Sequence, residues 1–183
     1  MSLEDRQHWQ HRHREPSPLS PRASVLELPR ASSPRATALD LACGQGRHSA
    51  VLTAKGYLVV AMDVSRIALQ RVLHPANDRA GLLAVEADAD DWPFAASAFD
   101  LIVQVDFLDR RLFSAFRSSL KPEGLLLIDT FLDRGHRNAA GPSRPEFLLM
   151  PDELSSAFAD FEILRYAEQG SDTARAEMLA RKR

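Results

Sequence analysis

The chain has 183 residues, of which 45% are hydrophobic and 26% charged, and its net charge is −2 at neutral pH. That length supports one well-buried core rather than two, and the near-balanced charge lacks the basic field by which proteins hold nucleic-acid phosphates, so a nucleic-acid partner is not expected. One cysteine, Cys43, rules out an internal disulfide and a thiolate metal cage, and a reducing, cytoplasmic setting is expected.

Residues 1–35 hold many of the prolines, several serines and half of the histidines, with little periodicity. They read as an irregular arm or lid ahead of a domain at 36–183. DRQHWQHRHRE (5–15) predicts a short helix stopped by Pro16, and ASVLELP (23–29) a second. His8, His11 and His13 have helical spacing, but no acid or cysteine completes a ligand set, so no metal is expected.

From residue 36 short apolar runs alternate with helical patterns. ATALDLA (36–42) is a strand; GRHSAVLTAKG (46–56) is a helix with Lys55 in its last turn and Gly56 as its stop; YLVVAMD (57–63) is the next strand. Ser65 caps a helix carrying Leu69, Val72 and Leu73 on one face. GLLAVEAD (81–88), FDLIVQVDF (99–107) and GLLLIDTF (124–131) are further strands, with a helix near 109–120. A linker at 134–146 precedes PDELSSAF, a helix starting at Pro151, and then FEILRYAEQ and ARAEMLARK form an antiparallel hairpin about GSDT. The expectation is an α/β, Rossmann-like doubly wound sheet of seven strands, mostly parallel. No apolar run, LLLI (125–128) included, approaches the roughly 20 residues that span a bilayer, so no membrane partner is expected.

In such sheets ligands bind beyond the carboxyl ends of the strands, at the turn after the first. Gly44 and Gly46 stand in that turn. They let backbone amides approach a ligand, and the helix behind them offers free N–H groups. Asp63 closes the second strand, where a carboxylate can accept from a ribose diol, so the ligand reads as a nucleoside derivative. A dinucleotide fingerprint needs a third glycine where Ser49 stands, and Asp40 would repel a pyrophosphate. The sulfonium and ammonium of S-adenosylmethionine would instead be attracted to it.

LDLACGQGRHS, GYLVVAMDVSRIAL, EADADDWPF and FDLIVQVDFLDR resemble, in that order, the motif series of class I S-adenosylmethionine-dependent methyltransferases. WQHR, LKPEG and SRPEFLLMPDEL narrow the resemblance to small bacterial tellurite-resistance-like members. The resemblance implies that Asp40, Leu41, Ala42, Gly44 and Gly46 line the methionine moiety, that Asp63 and Val64 hold the ribose and adenine edge, that Asp88 accepts from the adenine amine beside Ala89, and that Val105 and Asp106 form the floor under the methyl. Glu123 replaces the usual glycine of the LKPEG turn.

Several residues keep two readings. Asp88 competes with Asp90 and Asp91 as the adenine acid. Arg47 reaches the methionine carboxylate or an acceptor anion; His48 is a base or a solvated side chain; Trp9 stacks over the cofactor or pins the arm; Asp109 and Arg110 serve the acceptor or only cap a helix. Cys43 reads as a buried filler. Methyl transfer is an in-line displacement that depends on positioning, and a base such as His48 or Asp106 is required only for an acceptor not already deprotonated. The expected reaction is methyl transfer from S-adenosyl-L-methionine, giving S-adenosyl-L-homocysteine, to a small-molecule thiol or chalcogen anion, with the arm and the 132–147 loop as roof and the protein a monomer or homodimer. The alternatives are a non-catalytic binder of the same cofactor and, less well supported, a nicotinamide-dependent oxidoreductase.

Overall fold

A computed structural model describes residues 3–15, 19–73, 80–135, 141–142, 144–170 and 173–183, with side chains from residue 6 onward. Seven strands make a mixed sheet, and the chain packs as two compact units, Met1–Phe94 and Ala95–Arg183.

In the first unit β1 (Thr37–Leu41), β2 (Leu58–Asp63) and β3 (Leu82–Glu86) are parallel and ordered β3-β2-β1. Asp40 is in register with Ala61, and Asp63 with Glu86, so the polar residues of these apolar runs gather at the carboxyl ends. Among its described residues this unit has four helices: α1 (Leu3–Arg12), α2 (Ala23–Leu26), α3 (Arg47–Ala54) and α4 (Arg66–Val72). Ser65 caps α4 as expected, its Oγ accepting from the Ala68 N–H at 3.2 Å, while Leu69 and Val72 are buried. Gly56 ends α3 with φ +93°, a conformation that costs other residues strain. Lys55 closes that helix, and its ammonium donates to the carbonyls of Leu26 and Leu28, tying the second half of the arm down.

In the second unit β4 (Phe99–Val105) runs parallel to β5 (Leu120–Phe131), and β7 (Arg175–Arg181) lies antiparallel between β5 and β6 (Glu162–Gln169). The C-terminal hairpin therefore exists, with its last strand placed inside. The strand β5 begins four residues earlier than expected. A register shift passes over LKPEG, where Glu123 takes φ +64°; its N–H donates to the Lys182 carbonyl, and the Lys182 N–H donates to the Gly124 carbonyl. The helix expected at 109–120 is a 3-10 turn, Arg110–Leu112, followed by α5 (Phe113–Ser119). Helix α6 (Glu153–Ala157) starts two residues after Pro151, with Glu153 accepting from the Met150 N–H at 2.8 Å. Phe113 and Phe158 pack at 4.9 Å between ring centroids, and Arg117 lies over Phe158 at 4.6 Å. No helix among the described residues is long and apolar enough to cross a membrane.

Candidate functional site

At the end of β1 the chain leaves the sheet through Ala42, φ +53°, then Gly44, φ +54°, and Gly46, φ +81°. A methyl group added at Gly46 would lie 2.8 Å from Val72 Cγ2, so close packing of the turn on α4 enforces that glycine as much as its φ does. Asp40 sits behind the turn at 1% exposure, and its Oδ2 accepts from the Ser49 hydroxyl at 2.6 Å. Burial is the main cause that pushes its carboxyl up to about 7, with the nearby Asp63 charge adding to the effect and the Ser49 bonds opposing it. Ser49, read in the sequence only as the absence of a third glycine, is thus the donor that holds this acid. Its spacing, one helical turn into α3 on the inward face, was the signal available.

Asp63 joins the two strand ends: Oδ2 accepts from the Gly44 N–H and Oδ1 from the Ser65 N–H, each at 2.8 Å. A carboxylate offers about four acceptor positions, so capacity for a diol remains. Burial raises its pKa while the two amides pull it down. Cys43 is buried against Ala61, Leu69 and Val72, with its thiol pushed up by burial and by Asp40. Leu41, Val64 and Ala89 are buried as well. Asp88 lies two residues beyond the end of β3 rather than in it, and accepts from the Asp90 N–H at 3.0 Å.

The arm meets this region side chain by side chain. Arg6 pairs with Asp88 at 3.5 Å. Gln10 Oε1 accepts from the Ser65 hydroxyl and the Ile67 N–H, both at 3.2 Å. The His13 ring lies over Gly44, its Cε1 3.3 Å from where a Cβ would stand, and Trp9 stacks on it at 5.9 Å while remaining 36% exposed. Arg47 donates to the Ser20 carbonyl at 3.3 Å, and His48, 4% exposed, accepts the Arg22 N–H at Nε2. The contacts of Gln10 with the start of α4 and of His13 with the glycine turn were not read from the sequence, where the histidine spacing was weighed only as a metal set and set aside. Among the described residues no group of three or more His, Cys, Asp or Glu could hold a metal ion.

In the second unit Val105 is buried at the end of β4, and Asp106 follows with φ +56°, its N–H donating to the Asp129 carbonyl. Arg175 Nη2 reaches Asp106 Oδ1 at 2.8 Å and Asp129 Oδ1 at 2.6 Å, and its guanidinium lies 4.7 Å over the Phe131 ring. Nothing in the local sequence signals this arginine; only the pairing of Phe131 with Arg175 across β5 and β7 brings it there. Arg110 binds Glu153 and the carbonyls of Glu146 and Leu148, so it fastens the segment before α6.

Residues 38–124, from β1 to the bulge in β5, match the family described as methyltransferase domain. Over those residues the chain is similar to that methyltransferase family. In overall fold it superposes on TehB from Haemophilus influenzae with a TM-score of 0.67 at 23% identity, over 81% of this chain and 58% of that one. On a SAM-dependent methyltransferase from Aquifex aeolicus the TM-score is 0.68 at 18% identity, over 99% and 98% of the two chains. A sequence relative, "Hemagglutinin 1" of Eikenella corrodens, is 33% identical over 139 residues, which are 71% of this chain and 45% of that protein. The chain spans about half the length of the relatives first matched. The glycine turn, Asp40 and Asp63 lie in the first unit and Asp106 in the second, all within the matched residues 38–124.

Proposed function

We propose that this domain binds S-adenosylmethionine in the first unit and transfers its methyl group to a small-molecule acceptor. The observation that carries the reading is Asp40: a buried carboxylate behind a two-glycine turn, hydrogen-bonded to a hydroxyl, in a position that favours a positively charged ligand over a pyrophosphate. Under this reading Leu41, Ala42, Gly44, Gly46 and Arg47 face the methionine part, Asp63 and Val64 the ribose, and Asp88 and Ala89 the adenine. Val105 and Asp106 serve the methyl transfer.

What these residues do follows from their contacts. The N–H groups of the turn and of α3 orient the ligand, and the Gly44 N–H to Asp63 bond keeps the turn in shape for it. When bound, the cofactor supplies an activated methyl on sulfur. Asp106 is held by Arg175, and His48 Nε2 is engaged by a backbone N–H, so neither offers a free base. That supports an acceptor whose nucleophile is already deprotonated near neutral pH, a thiolate or a chalcogen anion, for which alignment suffices.

Calorimetric titration with S-adenosylhomocysteine and with NADH tests the cofactor: binding of the first and not the second is expected, and the reverse overturns the reading. A panel of thiol, selenite, tellurite, amine and hydroxyl acceptors with labelled methyl donor tests the acceptor, with product expected from the first three. Cofactor binding with no product from any acceptor would favour a non-catalytic binder, a reading that the absence of a free base at Asp106 and His48 also supports.

A further inference from the structure

We propose that α1 is a built-in competitor for the cofactor: its side chains take the polar positions that the nucleoside needs, and the arm must leave before the ligand enters. This rests on the cofactor reading above and reverses the sign of the roof role expected from the sequence.

Three contacts carry it, one at each end and one in the middle of the same surface. At the carboxyl end of β3, Asp88 is paired with the Arg6 guanidinium, a donor standing where an amine would otherwise be bound. At the start of α4, the Gln10 carbonyl oxygen takes the Ser65 hydroxyl and the Ile67 N–H, two donors beside the ribose position at Asp63. At the glycine turn, the His13 ring fills the clearance over Gly44, its Cε1 3.3 Å from where a Cβ would stand. Burial lowers the His13 pKa, so an uncharged ring packs there, beside Asp63.

Those three residues are spaced 6, 10 and 13 along the chain, so one face of a single helix and its first following turn covers the whole row. The helix is then fastened from behind. Arg71 donates from Nε to the His13 carbonyl at 3.2 Å and from Nη2 to the Arg14 carbonyl, and Gln45 Nε2 donates to the Glu15 carbonyl at 2.7 Å. Arg71 and Gln45 make their bonds to backbone, so they fix where the arm lies, whereas Arg6, Gln10 and His13 face the ligand positions.

An internal competitor lowers apparent affinity by the fraction of molecules in which it has left. The double variant R6A/Q10A removes two of the three contacts and leaves the turn, Asp40 and Asp63 intact. With S-adenosylhomocysteine as the probe, calorimetry on the full chain should show the variant binding more tightly, by about threefold to tenfold if each lost contact releases the arm modestly. Equal or weaker binding by the variant, folded by circular dichroism, overturns the proposal and restores the arm as a roof. Should the variant fail to fold, stopped-flow binding to the unaltered chain decides. A rate that falls with rising S-adenosylhomocysteine to a limit set by arm opening shows opening before binding, and a rate that rises with concentration, linearly or to a plateau, overturns it. If neither chain binds S-adenosylhomocysteine at all, the cofactor reading itself is what has failed.

Discussion

Each unit places two acids at the carboxyl ends of its strands, and they are stabilised in opposite ways. In the first unit Asp40 and Asp63 are held by a hydroxyl and by backbone N–H groups, which carry dipoles and no net charge. In the second, Asp106 and Asp129 share the Arg175 guanidinium, which sits at 13% exposure between them. Dipoles can orient a buried carboxylate but leave its charge available to a ligand; a cation cancels it on the spot. Under the proposed function the first pair is left to meet a positive ligand, and the second supports itself.

The largest expected consequence lies in the second unit. Replacing Arg175 by Met keeps the stem over Phe131 but leaves two carboxylates without their cation. Breaking a mostly buried pair from one side costs about 3 kcal/mol, so the urea midpoint should fall sharply while S-adenosylhomocysteine binding to the folded fraction is kept. A small loss of stability would mean that the second pair is also sustained by dipoles and would erase the contrast.

Asp40→Asn should act the other way round, on the ligand more than on the fold. It removes the charge and retains a group of similar shape next to Ser49. S-adenosylmethionine should lose at least about tenfold in affinity, equivalent to roughly 1.4 kcal/mol, whereas S-adenosylhomocysteine, which lacks the sulfonium, should lose less. Equal losses for the two ligands, measured side by side by calorimetry, would show that Asp40 shapes the turn and does not act through its charge.

Asp40, Gly44, Gly46 and Asp63 were legible because each obeys a local rule: an apolar run, a break that needs positive φ, and an acid at the next strand's end. The strands were legible for the same reason, and the hairpin at the C-terminus through its alternation. Arg175 was not, since its partners are 46 and 69 positions away in sequence, and only the antiparallel register of β7 brings them together. Gln10 and His13 escaped because a helix this polar shows no periodic face, and what it covers is decided by Arg71 and Gln45 gripping its end. The start of β5 was misplaced because LKPEG carries turn residues, while the backbone bonds of Glu123 and Gly124 with Lys182 hold the segment as an irregular part of the strand.

The smallest effect is the most specific. Asp40, raised by burial to about 7 from an unfolded value near 3.9, binds its proton more tightly in the folded chain. Its contribution favours folding at low pH and is lost as the pH climbs from about 4 to about 7. A sulfonium ligand needs the ionised form, so S-adenosylmethionine should displace that proton, and its affinity should rise about fivefold to tenfold between pH 6 and 8. Ser49→Ala takes away the hydroxyl that favours the charged form, which moves the carboxyl further up. The same rise in affinity should then appear at higher pH, with the variant weaker than the unaltered chain at pH 7 and nearly equal to it at pH 9. Calorimetry across that range, comparing S-adenosylmethionine with S-adenosylhomocysteine, isolates the contribution of the sulfonium. A profile that Ser49→Ala leaves in place would assign the titration to another group and take from the first unit the uncancelled charge that sets it apart from the second.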